Sequence, residues 1–257
     1  MDLPQELLDK ILSHLPPYDE RDERTLRNCC LVAKSWVHPA RRLLFETVEL
    51  QEKNLQSWLD SIPTTNEGLL QHVRSLSCIT NIGNLDYRID MIQDYFPSLC
   101  QLRHLSLSSV HLPLDFSQQV EVFSAFKYTL LRLSLNYCEV TISALVTLIS
   151  CFPNLNHLDL THLLRHKMDT KIAPPLSRPH VGKLYIAEFY GDLLGLLDQL
   201  SELGLTFDEI VVGGRSGVTT YALGRIVNTI GKTVKRLRLP DYFSGRMYLT
   251  NTHYRTR

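Results

Sequence analysis

The side chains in this sequence that are best suited to chemistry are three histidines and an aspartate between residues 157 and 166. His157 and Asp159 lie two positions apart, so a β-strand would direct both to one face. His162 and His166 have the i,i+4 spacing of one helix face. A zinc site needs three or four converging ligands, however, and His162 lies past the end of the strand that carries His157. We therefore interpret the group as surface residues and predict no metal site.

A glycine-rich turn is the second candidate for chemistry. Gly213–Gly217 lies between a predicted strand and a predicted helix, which is the setting of a phosphate-binding loop. It lacks both the Gly-Lys-Ser/Thr ending and the G-x-G-x-x-G register, so a flexible turn is the better interpretation. The adjacent Cys29 and Cys30 fit a helix core better than a redox pair. Without a recognisable set of nucleophile, base and orienting group, the sequence predicts no catalytic residue and no cofactor, and we expect no enzyme.

Composition narrows the possible partners and compartments. The 257 residues include 27 Lys and Arg against 27 Asp and Glu, and this balance argues against nucleic acid or a membrane surface as the partner. The apolar stretch Ala144–Phe152 is too short to span a bilayer, and Met1–Glu6 lacks the pattern of a signal peptide. The 6 cysteines have no paired spacing, which predicts reduced thiols in the cytoplasm or nucleus.

One repeated pattern predicts the elements that position the polar side chains. Leu130–Val140 matches the leucine-rich repeat pattern L-x-x-L-x-L-x-x-N/C-x-L, and so does Leu102–Leu112. The shorter L-x-x-L-x-L core begins at residues 45, 73, 102, 130, 155, 181, 207 and 234, in steps of 25 to 29 residues. Leucine-rich repeats are about 20–29 residues long. The sequence therefore predicts an irregular α/β leucine-rich-repeat solenoid over residues 46–257, with parallel strands inside and helices and loops outside.

The segments between the strands should form the outer layer of this solenoid. Apolar residues at helical spacing predict helices over Gln118–Tyr128, Ser143–Cys151, Asp192–Leu203 and Tyr221–Ile230. Lys167–His180 contains three prolines and is instead expected to be an extended loop.

Strand alternation predicts the concave face of the solenoid. Residues two, four and six positions after each repeat start should point to this face, which also places Ala187 and Glu209 there. Ordinary solvent exposure explains the polar types on this face without any ligand. Solenoids nevertheless bind partners on such surfaces. We predict that an unknown target protein contacts the middle repeats through His104, Ser106, Arg132, Ser134, Asn136, His157, Asp159, Lys183 and Tyr185.

The first 45 residues follow a helical pattern instead. The apolar face of the first predicted helix is formed by Leu7, Leu8, Ile11, Leu12 and Leu15. Pro16 and Pro17 end that helix. A second helix is predicted from the apolar residues of 26–37, and Pro39 should begin a short third one. Because three short helices are too small to be stable alone, they must pack on the repeats, on a partner, or on both.

The residues of these helices match a known motif. Leu3-Pro4-x-Glu6-Leu7-Leu8-x-x-Ile11-Leu12-x-x-Leu15 is followed by Leu26-x-x-Cys29-x-Leu31-Val32-x-x-x-Trp36. Together they resemble an F-box, and the continuation from Val37 to Val48 is similar to the fungal version. The stretch Pro16–Thr25 departs from the motif, because it is longer and more acidic than the usual link. The resemblance implies that residues 1–45 dock on a Skp-type adaptor through Leu3, Pro4, Leu7, Leu8, Ile11, Leu12, Val32 and Trp36.

The function that this resemblance implies is that of a substrate receptor. The helices would hold the Skp-type adaptor, and through it a cullin, in an SCF-type ubiquitin ligase, while the repeats bind the target. Such a subunit catalyses nothing itself, since the chemistry belongs to its partners. The alternative is a stand-alone leucine-rich-repeat scaffold whose helices only cap the first repeat. A hydrolase within the repeats is a third interpretation, and the spacing of the polar residues does not favour it.

Overall fold

The computed structural model of the chain describes residues 4–15, 20–51, 54, 57–58, 67–79, 93–109, 111–112, 120–163, 179–188, 193–213 and 234–239. Four sequence features lie outside these residues: Leu3, His166, the predicted helix Tyr221–Ile230 and the glycine turn beyond Gly213. Most of the predicted loop Lys167–His180 also lies outside them.

Three helices open the described chain: α1 over Gln5–Leu12, α2 over Glu20–Val32 and α3 over Lys34–Leu44. The expectation that Pro39 begins the third helix is wrong, because α3 begins at Lys34 and contains Pro39. The chain is extended at Ala33, with φ −156° and ψ 155°, and this break divides the predicted second helix between α2 and α3. The periodicity of residues 26–37 did not show the break, because the apolar spacing continues across it.

The three helices share a small core of their own. Leu12, Leu26 and Ala40 are fully buried, and Cys29 lies beside them. Further apolar side chains pack around this group, namely Leu15, Cys30, Trp36, Leu43 and Leu44. The helices therefore form a module that is distinct from the sheet that follows.

The described part of the chain continues with ten strands: β1 Thr47–Gln51, β2 Ser75–Ile79, β3 His104–Ser108, β4 His111–Leu112, β5 Arg132–Asn136, β6 Glu139–Val140, β7 His157–Thr161, β8 His180–Ala187, β9 Thr206–Gly213 and β10 Arg236–Arg238. Eight of them form one sheet in the order β1-β2-β3-β5-β7-β8-β9-β10, and every neighbouring pair is parallel. The short β4 and β6 pair in parallel as a second sheet. The expected mixed α/β class with a parallel sheet is confirmed.

The register of the large sheet aligns the leucines that the repeat pattern identified. Leu105 lies opposite Leu133, Leu133 opposite Leu158, and Leu158 opposite Leu184. Each of these side chains is at most 1% exposed. Because side chains two positions apart share a face, the following apolar residue of each strand is buried in the same layer. The repeated sequence core thus becomes a continuous apolar layer on one face of the sheet.

Helices and 3-10 turns cover this apolar layer: α4 Glu67–Leu70, the 3-10 segments Gln93–Ser98 and Val120–Phe126, α5 Ile142–Ser150 and α6 Leu193–Glu202. The helices predicted for Ser143–Cys151 and Asp192–Leu203 are confirmed to within one residue at each end. The N-terminus of α5 is capped by Thr141, whose Oγ accepts a hydrogen bond from the Ala144 N–H at 3.2 Å.

The segment predicted as a helix over 118–128 is instead wound as a 3-10 helix. A 3-10 helix places residues three apart directly above each other, so Phe123 and Phe126 both point inward. Their rings meet those of Phe96 and Phe152 at centroid distances of 5.6 to 6.0 Å. This phenylalanine cluster connects three successive segments of the outer layer.

The phenylalanine cluster gives the first testable prediction. Phe126→Ala should lower the free energy of unfolding by about 3–5 kcal/mol, because it removes a fully buried ring and leaves a cavity. Urea denaturation of both proteins measures the difference. Tyr128→Ala is the matched control, since the Tyr128 side chain is 68% exposed and its loss should cost less than about 0.5 kcal/mol. Equal losses in the two variants would contradict the described packing.

Candidate protein-interaction surfaces

The first helix of the N-terminal module divides its apolar residues between two sides. Leu8 and Leu12 are fully buried, whereas Leu7 and Ile11 are 48% and 46% exposed. Residues four apart lie above each other on a helix, so each pair forms one stripe. The stripe of Leu8 and Leu12 is buried within the protein, and the stripe of Leu7 and Ile11 is open to solvent.

The end of α2 carries a second exposed apolar pair. Leu31 is 84% exposed and Val32 is 67% exposed, immediately before the extended residue Ala33. Of the eight large apolar side chains that are exposed among the described residues, four lie in α1 and α2. Apolar side chains concentrated in so small a module mark an interaction surface, because isolated exposed residues would be spread over the chain.

The structure thus places the residues predicted to contact an adaptor in two groups. Pro4, Leu7, Ile11 and Val32 are exposed. Leu8 and Leu12 are buried, and the half-buried Trp36 packs against the core of the module. Leu31 was quoted in the motif but not counted among the contact residues, although it is the most exposed of the apolar set. Sequence periodicity does not separate the two groups, since all of them are apolar at helical spacing.

The module is attached to the sheet without an intervening linker. The N–H groups of Arg74 and Ser75 both donate to the carbonyl oxygen of Glu46 at 2.9 Å, and an Arg74 Nη lies 3.5 Å from the Glu46 carboxylate. The rings of His38 and His72 meet edge to face, with centroids 5.6 Å apart. Burial lowers the pKa of His72, and the neighbouring His38, Arg42 and Arg74 lower it further. The contact therefore favours a neutral imidazole.

The polar face of the sheet carries a row of basic side chains. His104 lies opposite Arg132, Arg132 opposite His157, and His157 opposite Lys183 in the strand register. His104 is exposed, and its pKa is lowered first by partial burial and then by Arg132, His157 and Arg103. Because the lowered pKa favours a neutral His104, the permanent positive charges of the row are those of Arg132 and Lys183.

One carboxylate lies beside this row. The Nε of Arg132 donates to Asp159 Oδ2 at 2.6 Å, and Ser134 Oγ donates to the same oxygen at 3.0 Å. The Asp159 side chain is only 13% exposed, whereas that of Arg132 is 51% exposed. Arg132 is therefore oriented by Asp159 while much of its guanidinium remains open to solvent.

The other predicted face residues that the structure describes follow the alternation, with two exceptions. Ser106, Asn136 and Tyr185 are half-buried on the polar face. Ala187 and Glu209, expected on the open face, are buried at 5% and 8% exposure. The Glu209 carboxylate is bound by Arg238 Nε at 2.7 Å on the neighbouring strand, so its burial is compensated by an ion pair.

The structure separates the histidines that were considered as metal ligands. His157 lies in the basic row, while the ring of His162 stacks on Tyr137 at a centroid distance of 4.2 Å. Both Tyr137 and His162 follow a strand and have positive φ, 52° and 50°. The part of the chain that the structure describes contains no group of three or more His, Cys, Asp or Glu that could hold a metal ion.

The cysteines are free thiols, and several are buried. Burial raises the pKa of Cys78 to about 12 and that of Cys151 to about 11. The pKa of Cys29 is raised by burial and by the adjacent Cys30. A raised pKa keeps a thiol protonated and unreactive, so these side chains act as small apolar groups.

Among the described helices, none is long and apolar enough to cross a bilayer.

Comparison with known families identifies the N-terminal module. Residues 1–50 match the F-box-like family. The match covers the three helices and most of β1, and the separate core of the module fits it. An F-box-like domain supports assignment of the chain as an F-box protein, and F-box domains generally bind Skp-type adaptors. No curated protein matches the chain.

The histidine contact between the F-box-like module and the sheet gives the second prediction. Because folding lowers the pKa of His72 below 6.5, the unfolded chain binds the proton more readily. The stability that the neutral ring provides is present above this pH and is lost as the pH falls through the lowered value. His72→Gln should therefore reduce the pH dependence of the free energy of unfolding between about pH 7.5 and 5.

Urea unfolding at several pH values measures this effect. His14→Gln, which changes an exposed histidine outside the contact, is the control and should keep the wild-type pH dependence. If the His72 variant also keeps it, the described junction does not hold a neutral imidazole.

Proposed function

We propose that this chain is a substrate receptor of an SCF-type cullin–RING ubiquitin ligase. The observation that carries the proposal is the F-box-like module at residues 1–50, whose exposed apolar pairs are available to an adaptor. Leu7 and Ile11 on α1, with Leu31 and Val32 at the end of α2, would be buried against a Skp-type adaptor. Burial of apolar surface contributes about 25 cal/mol per Å², so these four side chains would supply much of the binding energy.

The sheet is proposed to be an irregular leucine-rich-repeat solenoid that binds the target. The supporting observations are the repeat length of 25 to 29 residues and the eight parallel strands, whose order in the sheet is that of the repeats. In such a fold each repeat buries its apolar residues against its neighbours, and the strand face is the usual binding surface. The similarity of residues 37–48 to fungal F-box proteins supports placing the chain with that group.

The proposed mechanism is proximity and involves no bond chemistry by this chain. A target bound on the strand face is brought close to a ubiquitin-conjugating enzyme held by the same assembly, which raises the effective concentration of the reacting groups. The cysteines are free thiols, which is typical of a reducing compartment, so we propose that this function operates in the cytoplasm or nucleus.

The second candidate function is a stand-alone scaffold in which the helices only cap the sheet. The contact of His38 in α3 with His72, which precedes β2, is what a cap would make. A cap does not account for Leu31, which is 84% exposed. The exposed apolar pairs therefore favour adaptor binding.

The third prediction tests adaptor binding directly. Ile11→Asp and Leu31→Asp should each weaken binding of a purified Skp-type adaptor by at least about 30-fold, because each places a charge in an apolar contact. Isothermal titration calorimetry with the full chain measures the affinity. Leu31→Asp guards against misfolding, since the side chain of Leu31 packs on little of the module.

Tyr128→Asp is the matched control, because it introduces the same charge at an exposed aromatic residue far from the module in sequence. It should bind the adaptor as the wild type does. Wild-type affinity in both the Ile11 and the Leu31 variants would contradict the receptor proposal and favour the stand-alone scaffold.

A further inference from the structure

The polar face of the sheet has a charge pattern that the receptor proposal does not use. His104, Arg132, His157 and Lys183 occupy one register position on four adjacent strands. Neighbouring strands are about 4.8 Å apart, so the row is about 14 Å long. Its two permanent cations, Arg132 and Lys183, lie on either side of His157, so an extended anionic ligand that crosses the row meets both.

The carboxylates near the row leave its charge only partly balanced. Asp159 accepts from Arg132 through Nε, so the Nη groups of this half-exposed side chain can still donate to a ligand. Glu209, opposite Lys183, is bound by Arg238 on the far side. Lys183 is therefore the cation of the row with the least compensation among the described contacts.

Beside the basic row, the polar face of the sheet carries short side chains with hydroxyl groups. Ser77, Ser106 and Ser134 occupy the next outward position on β2, β3 and β5. Tyr185 borders these serines on the β9 side, and its ring lies over Gly213. A Cβ atom on that glycine would be 2.7 Å from the Tyr185 hydroxyl. Short side chains allow an extended backbone to approach the sheet, and hydroxyl groups can donate to carboxylates.

We infer that the target segment recognised on this face is an extended acidic peptide, which lies across β3, β5, β7 and β8 with its carboxylates on Arg132 and Lys183. In this arrangement the carboxylate of Asp159 competes with those of the peptide for Arg132, and it binds the Arg132 Nε when no peptide is present. A nucleic acid is the less favoured polyanion, because the face also carries the carboxylates of Asp159 and Glu209 and the chain has no net charge. The inference rests on the proposed receptor role, since it names the chemistry of the target.

The test uses the full chain and a fluorescein-labelled glutamate-rich peptide of about eight residues, long enough to cross the row at about 3.4 Å per residue. Fluorescence anisotropy should show saturable binding that weakens as salt is raised, and the matched glutamine-rich peptide should not bind. Lys183→Glu should weaken binding at least about fivefold, because it replaces an attraction by a repulsion. Lys127→Glu makes the same charge change on the outer layer and should leave the affinity unchanged.

Asp159→Asn gives an effect of the opposite sign. It removes the internal carboxylate while an amide oxygen still accepts from Ser134, so peptide binding should become severalfold tighter. Thermal melts of each variant establish that the fold is kept. Weaker binding in Asp159→Asn, equal losses in the Lys183 and Lys127 variants, or tighter binding of a deoxythymidine oligonucleotide of equal length would each overturn the inference.

Adaptor titration on the same protein preparations separates this inference from the receptor proposal. Loss of peptide binding with intact adaptor binding in Lys183→Glu supports the acidic target. Adaptor binding without any peptide binding in the wild type rejects the acidic target and leaves the receptor role standing. Peptide binding without adaptor binding rejects the receptor role and supports a scaffold that binds acidic peptides.

Discussion

The whole sheet depends on the burial of one pair of apolar residues from each strand against the pairs of its neighbours. In a parallel ladder, a shift of one residue would turn every such pair to the opposite face. The register that places Leu105, Leu133, Leu158 and Leu184 in one line is therefore strongly specified. The outer layer reinforces it, because the phenylalanines of successive segments pack on one another behind the strands.

The same constraint builds the polar face. Once the leucines fix the register, the residues between them must line up as well, whatever their charge. His104, Arg132, His157 and Lys183 are brought side by side in this way. The carboxylate of Asp159 is held beside them by Arg132 and Ser134, and that of Glu209 lies opposite Lys183 and is bound by Arg238. The register of the leucines thus fixes which polar side chains lie next to one another on the strand face.

The N-terminal module divides its apolar side chains between a buried side and an exposed side. A helix of eight residues cannot bury all of its apolar side chains against two short neighbours, so α1 places Leu8 and Leu12 inside and leaves Leu7 and Ile11 outside. The module is followed directly by β1, and His38 of α3 contacts His72 before β2. The protein therefore carries two different exposed surfaces: the apolar surface of the module and the polar face of the sheet. Under the proposed function, each would bind a different kind of partner.

The sequence by itself determined the elements whose signal is local. Leucine spacing located the cores of all eight strands of the large sheet, helical spacing located α5 and α6, and the residues of the first helices identified the F-box-like motif. Only the tertiary structure decided the break at Ala33, the 3-10 winding around Phe123 and Phe126, and the burial of Ala187 and Glu209. The physical reason is distance along the chain. Periodicity reports which residues share a side of one element, whereas burial depends on what distant segments place against that side.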